Sequence, residues 1–491
     1  VGTDHAVTDP TPSGLTPSGL TPSGLTPSGL TPSGLTPSGR TVAAGGRSGP
    51  GDAERGARPS PPPAGAMVGL EEVDLTDLDL FAAGFPHDVF TRLRQHAPLW
   101  WHRPTPHTPD GVGFWVVSRH ADALRIVADA EAFSSERAPG APGGGTLIQD
   151  LPAGAAAGVL LNMMDDPRHQ RIRRLVTPAV SPRALGQLEP ELRRRAIAIV
   201  EAVAGQGGCD FLLDVAVELP LQATAMLLGI PEGDRHDLMA WSNATLDHAE
   251  RDLGHDTEAA QRAAASLAAY GAELCARKRR EGGDDMLATV CRSTIVADDG
   301  DEQPLTELEQ LMFFNLLVAA GSETTRNAIA LGLAALIEHP DQLELLQGDP
   351  ALMPGAVEEI LRWSSPTLYN RRTATRDVVV GDTRIRAGDK VTVWWASANR
   401  DEAVFADPFR FDVRRAPNPH LAFGYRSHFC LGANLARLEI RILFEELLGR
   451  LTDFALAGPI ERFRTNKHAG VRHMPVTFRH RGTRGRRRRK R

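Results

Sequence analysis

The segment opened by Thr306-Glu307-Leu308-Glu309 limits most strongly what this chain can fold into, because no proline interrupts it before Pro340. A threonine with a glutamate three residues on is a capping box, so a helix is expected to start there. Pro340 must stop that helix, which then runs to His339. At 1.5 Å per residue it is about 50 Å long, enough to cross a whole domain. Its first part is apolar on all faces, as a central helix enclosed by protein must be. Residues 311–337 are the most apolar region of the chain, but Ser322-Glu323-Thr324-Thr325-Arg326-Asn327 interrupts them. The remaining runs are too short to span a bilayer. A buried helix of this length demands a large helical domain around it. A chain of 491 residues, 42% hydrophobic and 24% charged, can supply one.

The surrounding pattern is mainly α with minor β sheets. Asp166-Pro167 and Ser181-Pro182 read as helix starts, and a helix is expected over 356–363. Segments 99–101 and 113–117 read as a small hairpin. Segments 378–380 and 383–386 flank Gly381-Asp382 as a second one, and 390–395 is a further strand. Residues 139–145 form a glycine-proline loop, a candidate lid.

Both ends differ from this body. Thr-Pro-Ser-Gly-Leu occurs five times in tandem from Thr11 to Leu35, then once more ending in Arg40. A proline and a glycine in every five residues prevent a packed helix or sheet, so 1–66 is expected to be disordered. Val1 fits a GUG start read literally, and Met67 opens the first ordinary globular sequence. The net charge of −6 hides nine basic residues in 479–491; without them the chain carries −15. An acidic body is not a nucleic-acid-binding domain, and the basic end reads as a solvated tail. One catalytic domain is therefore expected over 67–478.

Cys209, Cys275, Cys291 and Cys430 form no CxxC pair, which argues against a disulfide framework or a zinc site. No basic region followed by an apolar one marks a signal peptide. A cytoplasmic protein is the simplest expectation.

The chemistry concentrates in two places. Cys430 lies in Phe423-Gly424-Tyr425-Arg426-Ser427-His428-Phe429-Cys430-Leu431-Gly432, just before a helix start. Backbone N–H groups at a helix N-terminus favour a thiolate, and thiolate is the proximal haem ligand of oxygen-splitting enzymes. Phe423 and Phe429 can keep water off the sulfur, and Gly432 leaves room for a flat macrocycle. In the long helix, Ala319-Ala320-Gly321 precedes the Glu323-Thr324 pair. A carboxylate and a hydroxyl in an apolar helix need partners. Proton delivery to dioxygen is one use for them; an ion pair and a hydroxyl bonded back to a helix carbonyl are the other. Glu359 and Arg362 share a helix face and, with Arg410, can form a buried charge network fixing the cysteine loop. His169, Arg173, Arg372 and His428 offer four donors for two carboxylates.

In this order the motifs resemble those of the cytochrome P450 superfamily, over about residues 67–478. The resemblance implies the P450 fold, with a single catalytic domain around the long helix, and haem b (iron protoporphyrin IX) with Cys430 as its axial thiolate. It makes Glu323 and Thr324 a proton relay, with His169, Arg173, Arg372 and His428 holding the propionates. Phe423, Gly432 and Ala320 would lie against the cofactor. Leu316, Ala319, Ala320, Leu368, Tyr369, Lys467 and His468 could face substrate. The implied activity is monooxygenation of an apolar small molecule with O2 and two electrons. The similarity is to soluble actinobacterial members that oxidise sterols and methyl-branched lipids. A ferredoxin or flavodoxin, with its NAD(P)H reductase, would donate electrons to a monomer without a membrane span. It would dock on a basic stripe of Arg168, Arg171 and Arg174, extended by Arg437.

One departure stands out: the family usually has a glycine where this chain has Arg426, which implies an altered loop or extra charge near the sulfur. Two alternatives stay open: a tailoring oxidase of secondary metabolism acting on a polyketide, terpenoid or peptide intermediate, and a haem-binding protein without turnover.

Overall fold

A computed structural model of the chain describes residues 69–246, 258–297 and 299–482. The repeat-bearing stretch 1–66 and residues 483–491 lie outside them. Helices dominate the described residues, with small sheets at the periphery.

The central helix spans Glu307–Glu338, and its capping box is complete: Thr306 Oγ1 accepts from Glu309 N, and Glu309 Oε2 accepts from Thr306 N at 2.9 Å. Two apolar clusters enclose it. One buries Phe313, Phe314 and Val318 against the helices Arg168–Val176, Glu258–Glu281 and Met286–Arg292. The other buries Ala328 to Leu336 against Pro182–Ala204, Met353–Ser364 and Ala433–Arg450. Neither cluster includes residues 319–327, the polar interruption seen in the sequence. A cavity opens beside that gap.

Gly321 has a packing reason rather than a conformational one. A Cβ there would stand 2.5 Å from Thr224 Oγ1, on the helix Glu218–Leu228. The missing side chain lets two helices approach closely.

The largest sheet has five strands in the order Leu99–His102, Phe114–Val117, Lys390–Trp394, Tyr369–Ala374, Phe133–Ser134. Its pairs are antiparallel except Lys390–Trp394 with Phe114–Val117. Both expected hairpins form, with Leu99 opposite Val117 and Val380 opposite Thr383. The segment 139–145 carries a short ladder, Gly143–Gly144 against Leu151–Pro152.

Two expectations need correction. Asp166 does not cap a backbone N–H of the helix Arg168–Val176. Its carboxylate instead takes His169 Nδ1 at 2.9 Å and Gln170 Nε2 at 2.9 Å. The tail does not begin at 479: the strand Pro475–His480 pairs with Leu451–Leu456, and Arg481 N donates to Arg450 O. Sheet pairing recruits residues whose charge alone suggested a solvated end.

Candidate active site

Cys430 sits on a loop folded back on itself. Its amide donates to Phe423 O at 2.8 Å, and Phe429 N donates to Arg426 O at 3.0 Å. The turn needs two left-handed residues, Gly424 at φ +69° and Arg426 at φ +58°. Arg426 therefore adopts a conformation that favours glycine, and its guanidinium lies over the Tyr425 ring. The loop keeps a glycine-like turn, with the added charge at the surface. Helix Ala433–Arg450 starts directly after Gly432.

The sulfur lies deep in the molecule but open to the cavity. Burial pushes its thiol pKa up, while the Gly432 N–H and the charges of Arg173 and Arg437 pull the other way. Phe423 lines the cavity beside it, whereas Phe429 stacks edge-on against Phe423 and is 38% exposed.

The loop is anchored from behind. Glu359 and Arg362 are fully buried and joined by two 2.7 Å bonds. Arg362 Nη1 also donates to Asn399 O and Pro408 O, both at 2.9 Å. Arg410 was expected to complete this network with its side chain, but it is exposed and supplies its backbone carbonyl instead. Arg415 brings the guanidinium, with Nε 3.2 Å from Glu359 Oε1. Asn418 donates to Glu359 as well, and Asn399 Oδ1 accepts from Leu421 N at 2.7 Å, leading directly into the cysteine loop.

The cavity, about 510 Å³, runs from Cys430 and Gly432 past Ala320, Glu323 and Thr324 to a mostly apolar end. Glu323 is buried beside Arg326, with Oε1 3.5 Å from His468 Nδ1. Burial, helped by the charges of Lys467 and Arg326, holds His468 down at about 3, so it is neutral at pH 7. Thr324 Oγ1 donates to Ala320 O at 2.9 Å, the back-bond foreseen as one alternative.

The four donor residues converge. The rings of His169 and His428 stack with centroids 4.1 Å apart. Burial, reinforced by Arg372, His169 and Arg173, keeps His428 down at about 2 and hence neutral. Arg173 donates to Phe429 O. Arg372 is buried, lowered by burial to about 10 and still charged at pH 7. It donates one hydrogen bond, to Arg371 O, and makes no direct ion pair among the described residues, Asp165 favouring its charge only from a distance. A buried guanidinium without a counter-anion is costly. An anionic cofactor beside Cys430 would relieve it, so the donor set fits the two propionates of a haem.

Leu316, Ala319, Lys467 and His468 line the cavity as expected, but Leu368 and Tyr369 do not. Both are core residues, and Tyr369 OH accepts from Ile148 N. Strand alternation turns Asn370 and Arg372 to the cavity and Tyr369 and Arg371 away from it. Lys467 is lowered by burial to about 7 and bonds to Thr146 O, Tyr369 O and Asn370 Oδ1. The basic stripe is partly neutralised: Arg168 pairs with Glu309 and Arg437 with Glu358, while Arg174 is exposed.

Sequence reasoning missed several lining residues. Asn162, Met163, Met312 and Asn315 carry no motif. Glu439 does: it lies six residues past Ala433 on the helix that follows Cys430. Burial pushes the carboxyl of this wall residue well above the ordinary carboxylate range.

The described residues contain no helix long and apolar enough to cross a membrane. The family model Cytochrome P450 matches residues 351–456. Cytochrome P450 126 of Mycobacterium tuberculosis is 49% identical over 413 residues, covering 84% of this chain and 99% of that one. The methyl-branched lipid omega-hydroxylase of the same species is 37% identical over 432 residues, covering 85% and 97%. Among solved structures, a Mycobacterium marinum cytochrome P450 in complex with pseudoionone superposes with a TM-score of 0.74. It is 35% identical, with 83% of this chain and 98% of that one covered. Matches of this extent, together with a cysteine, a cluster of basic side chains and a mostly apolar cavity on one helical frame, identify the chain as a member of the cytochrome P450 family, a haem-thiolate monooxygenase.

Proposed function

We propose that this monooxygenase hydroxylates an apolar lipid, sterol or terpenoid-like molecule at an unactivated carbon. The observation that carries the reading is the cavity: it joins Cys430 to Glu323 and Thr324 and continues into a wall of Leu147, Leu160, Met163, Met312 and Leu316. The relatives named for methyl-branched lipid and for a pseudoionone complex agree with such a wall.

Bound haem supplies O2 activation, with thiolate donation favouring O–O cleavage. The protein's share is positioning, proton supply and exclusion of water. Cys430 would ligate the iron, and Arg372, Arg173 and the stacked His169–His428 pair would hold the propionates. Phe423 covers the sulfur. Glu323, held beside His468 and Arg326, relays protons toward Thr324, which lines the cavity. The apolar wall aligns the substrate and keeps bulk water out.

Electrons come from a ferredoxin or flavodoxin with its NAD(P)H reductase, docking on the Cys430 side. Arg174 and Arg426 present exposed charge there, and the acidic body elsewhere disfavours other approaches. The enzyme works in the cytoplasm as a monomer, and its catalytic domain is the 67–482 body.

The test is a screen of the ferric holoenzyme against fatty alcohols, sterols and terpenoids beside polyketide and peptide intermediates. It records the substrate-induced spin shift and NAD(P)H-dependent hydroxylated product. Lipid or sterol turnover supports the reading; turnover confined to the polyketide or peptide set would replace it.

A further inference from the structure

Two carboxamides stand apart from the rest of the cavity wall. Asn315 lies on the central helix and Asn162 on the turn Leu161–Met163, and both line the cavity beside the apolar residues Leu160, Met163, Met312 and Leu316. Each leaves Oδ1 without a hydrogen-bond partner, and neither side chain donates to another described residue. Among the other polar groups of the wall, Asn370 Oδ1 accepts from Lys467 and Thr324 donates to Ala320 O, while His468 Nδ1, also without a hydrogen bond, faces Glu323 at 3.5 Å. Buried polar atoms are normally satisfied. A binding pocket is where unsatisfied ones persist, because the ligand completes them.

Position adds a length. Asn315, Ala319 and Glu323 recur at four-residue spacing along one face of the helix. Asn315 therefore lies two turns, about 12 Å, from the Glu323–Thr324 stretch. Charge adds a class. A carboxylate placed against two neutral amides would need a cation. Lys467 already directs its three N–H groups to Thr146 O, Tyr369 O and Asn370 Oδ1, and Arg372 lies with the anion donors near Cys430.

We propose that Asn162 and Asn315 bind an uncharged oxygen function, an alcohol that donates to an Oδ1 or a ketone that accepts from an Nδ2, at one end of an elongated apolar substrate. Oxidation then falls on the hydrocarbon toward the opposite end. A site built to hydrogen-bond a substrate group discriminates strongly against analogues lacking it, since its own groups are then left unpaired. The proposal rests on the monooxygenase reading of the same cavity.

The experiment is equilibrium dialysis of the ferric holoenzyme with dodecan-2-one, dodecan-2-ol, dodecane and dodecanoate, the poorly soluble probes delivered from cyclodextrin. The wild type should bind the ketone and the alcohol at least about tenfold more tightly than dodecane or dodecanoate. Asn162→Leu and Asn315→Leu should each weaken ketone binding by about tenfold and leave dodecane unchanged or tighter. Equal affinity for all four probes, tightest binding of dodecanoate, or no measurable ketone binding would overturn the proposal. So would a ketone preference that survives in both variants. The wild-type ranking is decisive even if a variant fails to fold. Dialysis needs no turnover, so a failure of the monooxygenase reading shows separately, as absence of NAD(P)H-dependent product with every probe.

Discussion

The loop behind Cys430 and the wall around Asn162 and Asn315 border one cavity and follow different rules. Behind the cysteine, Glu359, Arg362, Arg415, Asn399 and Asn418 form one continuous hydrogen-bonded set, with Asn418 Oδ1 left open. At the asparagine wall, two amides have no partner. The first region must hold a single geometry for the cofactor and can be completed by the protein alone. The second is completed by whatever enters, so its deficits describe the ligand.

Substitutions can break or sharpen that contrast. Cys430→Ser should abolish the thiolate band of the reduced carbon monoxide complex and all product, because a hydroxyl is a poor anionic donor to iron. Retention of the band would remove Cys430 as ligand. Glu359→Gln should cost about 3–5 kcal/mol, since it leaves Arg362 buried with an uncompensated charge. The denaturant midpoint and haem content report it, and an unchanged midpoint would show the network to be dispensable.

Glu358 offers a pH test on the same side. Burial raises its carboxyl, but hydrogen bonds from His420 and Arg437 win and hold it at about 2, below the ordinary 4.5. A depressed folded-state value stabilises the fold above pH 4.5 and is lost as pH falls through about 2. At neutral pH, Glu358→Gln should be less stable by about 1–2 kcal/mol, discounted for partial exposure. Its curve should converge with the wild type near pH 2; parallel curves across that window would sink the assignment.

Smaller effects are expected elsewhere. Arg426→Gly should stabilise the protein by up to about 1 kcal/mol by relieving the left-handed residue, visible as a higher melting temperature. Asn315→Leu should change stability by no more than about 1 kcal/mol, and in the favourable direction, because it removes an unpaired polar atom. A loss as large as that of Glu359→Gln would mean that the two regions do not differ after all.

The contrast also explains what the sequence disclosed. The cysteine loop, the capping box and the Glu323–Thr324 pair are local patterns, so residue order is enough to find them. The mainly helical fold and both hairpins followed from helix signals and turn residues. Which arginine reaches Glu359 was not legible, because Arg410 and Arg415 occupy one loop and only its folding turns Arg415 inward. Tyr369 was misplaced by a strand phase, since pocket-facing and core-facing residues alternate and both sets here mix polar with apolar; Leu368 precedes the strand and packs into the core. Asn162 and Asn315 are single asparagines without spacing or repetition. Only the absence of partners in three dimensions distinguishes them.

The close contact of Gly321 with Thr224 has a consequence for how this protein can diverge. A methyl group at 321 would begin 2.5 Å from Thr224 Oγ1, on a helix rather than a flexible chain end. The segment bearing Glu323 and Thr324 would have to move, although neither residue had been altered. Positions 224 and 321 therefore form an evolutionary pair: descendants that acquire alanine at 321 should first shrink residue 224, and a lineage that takes the steps in reverse order should pass through a poorly coupled oxidase.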